Sequence, residues 1–498
     1  EDKAIEENNA SQRLPHGHRA MEPMVEGDYA NGLKIGQWRA WSKHGNLISE
    51  IDVVNGISRS WYDSGQLQEQ GEIRNEKKNG DWVKYYPDGQ VQTRGKYLDG
   101  EKTGMWESWY HNGIRMSEIH IENGMNRTWY QDGTLKEEGM VEDGIRQGLW
   151  KQYYADGTKK EEVFWFHGQK DGLSVRWHPN GKKSEELQYA KGIREGACIS
   201  WHSNGNKEFE GFYVNDRLNG FGRWWYTNGN LEMEGKLVDD LQDSIWTFYH
   251  EQGGRGSKGK FVKGNQHGEW NFWYATGELW KRGNFEEGVR DGLWTTWYES
   301  GKKLQEGLYR DGLPYEYWIN WFENGRIKDE GTYQAGEMHG KWRGYYDDGT
   351  PRYSVTYRVG IRHGMTTQYY MSGRKRFEGN YRNGELHGKA AEWYERGNLL
   401  EKGKYRNGTK TGTWEFFDQY GSLYLKQNFT DGKPDGKMTE YYADGRKKAT
   451  GSYRKTLRHG TWTYYDNKGN IVYQVVYNNG VRSNVRVDAG KNFDQRRP

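Results

Sequence analysis

The chain has 498 residues, of which 69 are Gly and only 8 are Pro, and Trp, Tyr and Phe make up 15% of it. Its 73 basic and 70 acidic side chains leave a formal charge of +3, which excludes a general electrostatic attraction to nucleic acid or anionic lipid. No segment approaches the roughly 18 apolar residues that a membrane-spanning helix needs. The single cysteine, Cys198, excludes an internal disulfide framework and a cysteine-built zinc site.

The first segment, residues 1–24, is polar and lacks apolar periodicity, so we expect a leader or linker there. The chain begins with Glu1 rather than Met, which we interpret as the start of a processed or excerpted protein. Half a repeat with Glu26, Gly27 and Tyr29 then opens a repetitive region that we place at 25–482. We interpret residues 483–498 as a polar, basic tail.

The repetitive region follows the pattern G-x-W-x-x-[aromatic]-Y-x-x-G in nineteen repeats of 20 or 24 residues. They begin at residues 36, 56, 80, 104, 124 and 148, and then every 24 residues as far as 460. We number positions within a repeat from 0 at its first residue and name each repeat by the number of that residue. Position 9 is Gly and position 5 is aromatic in all nineteen repeats, so the periodicity determines the architecture.

Each repeat predicts two short strands. Strand A carries W-x-x-[W/Y]-Y, an Asp-Gly or Asn-Gly turn follows, and strand B carries a pattern such as E-G-x-Y. A two-residue turn would place position 2, often Trp, opposite position 15, which is Gly in twelve repeats, so that the ring lies over a cross-strand Gly. Two 20-residue repeats end at Asn55-Gly56 and Asn123-Gly124, a dipeptide that favours two-residue hairpin turns.

The predicted fold class is all-β: an elongated tandem β-hairpin repeat array that forms one long, twisted antiparallel meander sheet. Helix is excluded because the apolar residues lack a 3.6-residue period and a turn dipeptide recurs throughout. At ~4.8 Å per strand, two strands in each of nineteen repeats would extend for roughly 180 Å. Each repeat would mainly contact its neighbours, as in solenoid proteins.

The segment EGTYQAGEMHGKWRGYYDDG (330–349) resembles the MORN repeat in its bacterial, Trp- and Tyr-rich variant. Segments 378–397 and 94–113 resemble it too, and the resemblance covers residues 25–482. It implies a sheet of tandem hairpins without a catalytic centre that acts as a scaffold or binding surface for other proteins. Members of the variant family are often labelled antitoxins, although no position here can be matched to that role. Some MORN proteins are linked to phospholipid binding, which the balanced charge of this chain does not favour.

The candidate partner-binding residues are aromatic side chains at position 5, which strict alternation places on the sheet face opposite the Trp at position 2. They are Trp41, Trp61, Trp109, Trp129, Trp177, Trp201, Trp225, Trp273, Trp297 and Trp321. A row of half-exposed rings about 10 Å apart could bind a partner protein, an extended peptide or a sugar. The alternative is that the rings only cover neighbouring strands and hold a thin sheet together.

Histidines recur immediately before position 0: His267, His339, His363, His387 and His459. Successive copies would lie about 10 Å apart, whereas the ligands of one metal ion lie ~2 Å from it, so we expect turn histidines and no metal. Cys198 occupies a Trp position, which favours a packed thiol over a nucleophile.

Five repeats in two runs lack the Trp at position 2. They carry Ser174, Cys198 and Gly222, and then Thr366 and Ala390. These less bulky stretches could be docking sites for another chain, or only sequence drift in a redundant array.

We therefore expect a non-catalytic, rod-like protein without a cofactor that binds or spaces other proteins in a bacterial envelope assembly. The missing initiator Met, the polar leader and the near absence of Cys favour the periplasm or cell surface, with the cytoplasm as the alternative. Carbohydrate or cell-wall binding through the position-5 rings is an alternative function, and antitoxin-like binding of a partner protein is another. Nucleic acid and lipid partners are not expected.

Overall fold

A computed structural model describes residues 24–487, which contain 42 β-strands and no helix. The predicted leader at 1–24 and tail at 483–498 therefore lie outside the described residues except at their inner ends. By Cα proximity the chain divides into two compact parts. The first holds residues up to 231 together with 237–240, and the second holds residues 232–236 and those from 241 onward.

The first part contains strands β1 to β19, and β20 (Leu231–Val238) contains the division between the parts. The bounds are β1 Met24–Ala30, β2 Leu33–Trp41, β3 Leu47–Asp52, β4 Asn55–Trp61, β5 Leu67–Arg74, β6 Lys77–Tyr85, β7 Val91–Leu98, β8 Glu101–Trp109, β9 Arg115–His120, β10 Gly124–Trp129, β11 Leu135–Glu142, β12 Ile145–Tyr153, β13 Lys159–Phe166, β14 Gln169–Trp177, β15 Lys183–Ala190, β16 Ile193–Trp201, β17 Lys207–Val214, β18 Arg217–Leu218 and β19 Gly220–Trp225.

The second part contains strands β21 to β42. The bounds are β21 Leu241–Tyr249, β22 Arg255–Val262, β23 Asn265–Trp273, β24 Leu279–Glu286, β25 Val289–Trp297, β26 Lys303–Arg310, β27 Leu313–Trp321, β28 Ile327–Gln334, β29 Glu337–Tyr345, β30 Pro351–Arg358, β31 Ile361–Arg362, β32 Gly364–Tyr369, β33 Lys375–Arg382, β34 Glu385–Trp393, β35 Leu399–Arg406, β36 Thr409–Phe417, β37 Leu423–Thr430, β38 Lys433–Tyr441, β39 Lys447–Arg454, β40 Leu457–Tyr465, β41 Ile471–Asn478 and β42 Val481–Val487.

Within each part, successive strands pair antiparallel in a meander. Strands β2 to β41 are the two strands of each of the nineteen repeats, with β18–β19 and β31–β32 each being one strand A interrupted at Asn219 or His363. The predicted all-β array of tandem hairpins is therefore confirmed. Strand β1 is the expected half repeat, and β42 crosses the boundary that the sequence placed at residue 482.

The turn from strand A to strand B differs from the prediction. In repeat 80 the backbone N–H of Tyr86 donates to the carbonyl of Gln90 at 2.7 Å, and that of Gly89 donates to the carbonyl of Tyr86 at 2.9 Å. The loop therefore has three residues rather than two, and it ends in Gly89 with a φ of 89°. This is the type I turn with a following left-handed residue that makes three-residue hairpins, and it explains the invariant Gly at position 9.

A one-residue register shift at the end of strand A compensates for the longer loop. In repeat 80 the shift falls between Lys84 and Tyr85, and beyond it Trp82 still pairs with Gly95. The predicted pairing of position 2 with position 15 is therefore correct, although the predicted turn length is wrong.

The turn from strand B to the next strand A has two residues with positive φ, such as Asp99 at 51° and Gly100 at 92°. The side chain at position −1 often caps this turn from twenty residues earlier. For example, the Asn215 N–H donates to a Glu195 carboxylate oxygen at 2.8 Å, and the Val359 N–H donates to the His339 Nδ1 at 3.4 Å. The half-buried His339 thus caps a turn with its side chain, although the residue itself lies in strand β29 rather than in a turn as predicted.

The two short repeats do not turn at Asn-Gly as predicted. Asn55 and Gly56 open strand β4, and the turn before them is closed by Asp52, whose carboxylate accepts the N–H groups of Val54 and Asn55, both at 3.1 Å. Asn55 instead accepts the backbone N–H of Asn75 at 3.1 Å, as the other caps do. The preference of Asn-Gly for a two-residue hairpin turn is therefore outweighed by two side-chain interactions. One is the Asp52 carboxylate closing the turn, and the other is the Asn55 side chain capping the next turn.

The position-2 indoles form the buried layer of the sheet. The Trp270 side chain is only 1% exposed and lies flat on Gly259, where a Cβ would overlap its ring. Gly259 belongs to the preceding repeat, whereas the sequence placed the ring over Gly283 of its own repeat; Trp270 pairs in register with both. The same contact recurs for every position-2 Trp, from Trp38 on Gly27 to Trp462 on Gly451.

A hydrogen bond explains why each ring lies toward the preceding repeat. Strand A carries a bulge at position 0, where Gly268 has a φ of 67°, so the carbonyl of Lys260 on the facing strand is left without a ladder partner. The Trp270 Nε1–H donates to that carbonyl at 3.1 Å. Phe261 packs against the ring edge with a centroid distance of 5.0 Å, so most of the indole is covered without a second protein layer.

A second bond joins each repeat to the next. The hydroxyl of Tyr298 at position 6 donates to the backbone carbonyl of Trp321 at 2.8 Å, twenty-three residues later. Equivalent bonds run from Tyr62, Tyr86, Tyr110, Tyr130, Tyr154, Tyr274, Tyr346, Tyr370, Tyr394 and Tyr442, and His178, His202 and His250 take the same place with Nε2. This tyrosine ladder ties position 6 to position 5 of the following repeat.

Where position 2 is not Trp, other side chains fill the space, and in several repeats this is the residue eleven positions earlier. Ser174 lies against Val163 and Thr366 against Val355, and all four side chains are buried. Ala390 lies opposite Gly379, where the buried Phe377 ring fills the gap instead. The Trp224 ring likewise lies against Gly222, so compensating volume fills the inner face at these positions. That these stretches dock another chain stays a prediction.

Candidate interaction surface

The sheet has two chemically different faces. The inner face, as we call it, carries positions 2, 15 and 17 and holds the Trp–Gly contacts described above. The outer face carries positions 1, 3 and 5 of strand A with their cross-strand partners at positions 16, 14 and 11, as shown by the pairs Leu149–Phe164, Lys151–Glu162 and Tyr153–Lys159. Because the inner face is largely covered by its own side chains, the outer face offers more surface to a partner.

The position-5 aromatics lie on the outer face as predicted. All ten candidate Trp side chains, from Trp41 to Trp321, are half-buried, and none is exposed. Seven of them, Trp41 to Trp225, lie in the first part of the chain, and Trp273, Trp297 and Trp321 lie in the second. That these rings bind a partner stays a prediction.

Cations from the preceding repeat cover six of the ten rings. In the regular arrangement, Lys303 Nζ lies 5.5 Å from the Trp321 ring centroid and also bonds Glu306 at 2.7 Å. The six pairs are Arg94–Trp109, Arg115–Trp129, Lys159–Trp177, Lys207–Trp225, Arg282–Trp297 and Lys303–Trp321, with cation-to-centroid distances of 5.1–6.0 Å. These contacts favour the structural interpretation of the rings, because part of each ring face already has a partner within the chain.

One ion-pair cluster on this face surrounds Glu107, which is 5% exposed. Its carboxylate accepts hydrogen bonds from Arg94 Nε at 2.5 Å and from Arg115 Nη2 at 2.7 Å. The same two guanidinium groups lie over the rings of Trp109 and Trp129. One buried carboxylate therefore orients two cations and, through them, two aromatic side chains.

The outer face also carries an apolar stripe that the sequence analysis missed. We define it by seven exposed side chains in the first part of the chain: Met105, Met140, Leu149, Phe164, Leu173, Phe212 and Phe221. Their exposed fractions run from 38% at Met140 to 51% at Phe221. The signal was present at position 1, where repeats 104 to 244 carry only apolar residues, whereas six of the nine later repeats carry Glu, Lys or Thr.

Cross-strand pairs join stripe residues on neighbouring strands, with Gln188 of β15 as a polar interruption opposite Leu173. Leu149 of β12 pairs with Phe164 of β13, and Phe212 of β17 pairs with the small, exposed Ala197 of β16. Position 1 of one repeat and position 1 of the next are two strands apart, about 10 Å. An apolar row of this kind on an exposed face is typical of a binding surface for another protein.

Two shallow depressions are also present. The larger, of about 720 Å³, lies on the outer face beside Ala391, where a methyl group takes the place of the longer side chains found at position 3 elsewhere; Met365, Lys389 and Trp393 contribute to it. The smaller, of about 250 Å³, lies beside Asn126, which replaces a position-2 Trp. Neither brings together a nucleophile and a base.

Several groups have perturbed acidity with plain physical causes. Burial raises the pKa of the Cys198 thiol to about 11, so it stays protonated and is a packed thiol, as expected. Burial and the neighbouring Glu401 carboxylate raise the pKa of Glu392. Burial, with Arg290 nearby, lowers the pKa of Lys281.

Residues 24–487 contain no group of three or more His, Cys, Asp or Glu side chains that could hold a metal ion. In the same range there is also no helix of the length and apolarity that crossing a membrane requires.

The MORN repeat variant pattern matches ten segments of the chain. They are residues 54–75, 78–99, 146–167, 170–191, 194–215, 266–287, 290–311, 338–358, 386–407 and 458–479. No curated protein sequence matches the chain.

Among solved structures, the chain is similar to the crystal structure of TcdB2-TccC3-Cdc42, with 10% sequence identity, a TM-score of 0.13, and coverage of 95% of this chain and 32% of that one. It is similar at the same identity and TM-score to TcdB2-TccC3, covering 88% of this chain and 32% of that one. A Tc holotoxin pore from Photorhabdus luminescens also matches at 10% identity and a TM-score of 0.13, with 89% of this chain and 27% of that one covered. The chain thus spans about a third or less of the length of these structures, and likeness at this level carries no argument about function.

The matched segments recur along the described strands, and each covers parts of the two strands of a hairpin. The chain is therefore a MORN-repeat protein, built from the variant form of the repeat.

Proposed function

We propose that this protein is a non-catalytic interaction protein that binds other protein chains through the outer face of its sheet, with the apolar stripe as the central contact. MORN repeats are commonly protein-interaction repeats, and the family match supports this class of function. Repetition suits such a role, because each repeat adds a small contact and many contacts on one rigid surface multiply their effect.

The observation that carries the proposal is the exposure of the stripe. The array is held together by the inner-face Trp–Gly contacts, the tyrosine ladder and the backbone pairing, none of which needs an exposed Leu149, Leu173 or Phe221. Polar residues are tolerated at the same position, since Lys341, Lys389 and Lys437 occupy position 1 of later repeats. Exposed apolar side chains that folding does not require are explained by contact with another molecule.

The position-5 rings would form a secondary contact at the border of the stripe. Six of these rings already contact a cation of the same chain, so part of each ring face is not open to a sugar. This favours binding of a protein, whose interface has a polar and charged rim, over the stacking of sugars on the rings. A place in a bacterial envelope assembly and an antitoxin-like role are finer versions of the same proposal, and they depend on the identity of the partner.

The test is affinity capture with the full chain, followed by cross-linking and mass spectrometry. We expect a captured protein to cross-link to residues bordering the stripe, and L149K/L173K to lose that protein by at least about tenfold, because lysine at an apolar contact leaves a desolvated charge. L293K is the matched control: Leu293 occupies position 1 with an exposure of 52% but lies outside the stripe. Equal capture by the wild type and L149K/L173K would overturn the proposal, as would retention on cell-wall glycan without any captured protein.

A further inference from the structure

We propose that the occupant of the apolar stripe is a second copy of this chain, so that two outer faces pack on each other in a symmetric dimer. The inference rests on the proposed function and goes further by naming the partner. It follows from the area, the charge and the symmetry of the stripe.

The exposed area matches the minimum that a specific dimer needs. Each of the seven side chains leaves roughly 90 Å² uncovered, given that large apolar side chains bury about 150–250 Å² in full. The stripe thus offers on the order of 600 Å², which is at the upper limit for the largest apolar patch of a monomer. Two stripes packed together would bury roughly 1,200 Å², the lower limit for a specific protein–protein interface.

The charges beside the stripe are already neutralised within the chain. Position 14 carries a carboxylate in each of repeats 104 to 220, and the first five have a cation of the same chain close by; for example, Lys159 Nζ bonds Glu162 at 2.7 Å and Lys207 Nζ bonds Glu210 at 2.8 Å. Lys183 bonds Glu186 in the same way, and Arg127 lies between Glu118 and Glu138. Because these charges are paired within the chain, the stripe needs no opposite charges from its partner. A second copy fits this requirement, since its own stripe is apolar and its own carboxylates are paired with cations in the same way.

The geometry also suits two sheets packed face to face. Faces of two sheets pack about 10 Å apart with interdigitating side chains, and the small Ala197 beside Phe212 leaves room for a ring from the opposite copy. In a two-fold symmetric interface the same patch contacts itself, so the residue nearest the symmetry axis faces its own copy. Phe164 of β13 and Leu173 of β14 lie at the middle of the stripe, between Met105 of β8 and Phe221 of β19.

The first arm of the test is sedimentation of the full chain at micromolar concentrations. We expect a concentration-dependent dimer, a weakening of its Kd by about 100-fold or more in L149K/L173K, and no change in L293K, because only the first variant places charges at an apolar interface. A wild-type chain that stays monomeric throughout would overturn the inference, as would a dimer that L149K/L173K leaves intact. Circular dichroism of each variant excludes unfolding as the cause.

The second arm is disulfide trapping under mild oxidation. We expect Leu173→Cys to form a covalent dimer quickly, because this position lies near the symmetry axis, and Leu293→Cys to remain monomeric at the same concentration. The buried Cys198 is replaced by Ser in both variants. Equal trapping at the two positions would overturn the inference. If the chain is monomeric yet L149K/L173K loses a captured partner of another kind, this inference fails while the proposed function stands.

Discussion

At the scale of the residue, the pairing of a large ring with a missing side chain explains how a single-layer sheet buries its aromatic residues. An indole such as Trp270 lies on Gly259 and donates its Nε1–H to a carbonyl that the neighbouring bulge leaves free. In some repeats where the Trp is replaced by a smaller residue, the facing residue is larger, as in the Ser174–Val163 pair. The residue types at these two positions, eleven residues apart in the sequence, therefore change together because their side chains share one space.

The first prediction is that a Trp–Gly pair can be replaced by a Ser–Val pair. Gly259→Val alone should force the Trp270 ring out of its place and lower the local opening free energy by about 1–3 kcal/mol. Trp270→Ser alone should leave a cavity and lower it by about 3–5 kcal/mol. The double variant recreates the Val163–Ser174 pair, so we expect it to recover at least about 2 kcal/mol relative to the sum. Amide hydrogen exchange in β22 and β23 measures these values. Strictly additive effects would show that the two side chains do not share one space.

At the scale of the element, each hairpin is defined by two kinds of turn and is joined to the next repeat by backbone pairing and by the tyrosine ladder. In most repeats the ladder places one side-chain hydrogen bond at the same point, between position 6 and the carbonyl of the next position 5. Repeat 316 departs from it, because Phe322 has no hydroxyl to donate.

The second prediction uses that departure as its control. Tyr298→Phe removes the donor to the Trp321 carbonyl and should lower the opening free energy of β25 to β27 by about 1 kcal/mol, the usual net contribution of such a bond. Phe322→Tyr restores the missing donor and should raise stability in the following repeat by up to about the same amount. Hydrogen exchange of the two variants measures both changes. An unchanged exchange rate in Tyr298→Phe would show that the ladder contributes nothing to the joining of repeats.

At the scale of the whole molecule, the fold could be predicted from the sequence because Gly at position 9 and an aromatic residue at position 5 recur without exception. The details that could not be predicted depend on contacts between residues that are distant in the sequence. Three details depend on backbone hydrogen-bonding groups, which a sequence pattern does not show. They are the three-residue loop with its register shift, the side-chain caps found in place of the Asn55-Gly56 turn, and the packing of Trp270 on Gly259 rather than on Gly283. The position-5 rings remain a prediction as binding residues. The apolar stripe was not predicted, because the residues at position 1 vary along the chain and do not belong to the repeat pattern.

The third prediction concerns alkaline stability. Burial raises the pKa of Tyr353 and of Tyr405 to about 12, whereas an unfolded tyrosine has a pKa of about 10. Below pH ~10 both tyrosines are protonated in the folded and in the unfolded chain, so their contribution to stability is complete there. Above pH ~10 the unfolded chain loses these protons and the folded chain keeps them, so the free energy of unfolding falls as the pH rises towards ~12. Chemical unfolding followed by circular dichroism at several pH values measures this decline. We expect Tyr353→Phe and Tyr405→Phe to flatten it, and a stability that is constant over this range would contradict the account.

The central claim is that the inner face holds the sheet together and leaves the stripe on the outer face free to bind. It is tested most directly by amide hydrogen exchange of β12 to β15 in L149K/L173K and in the wild type, at concentrations where both are monomeric. The account predicts opening free energies that agree within about 0.5 kcal/mol, as for surface substitutions that touch no core contact. A loss of more than about 2 kcal/mol would contradict it, because the stripe would then be part of the folded core rather than a surface for a partner.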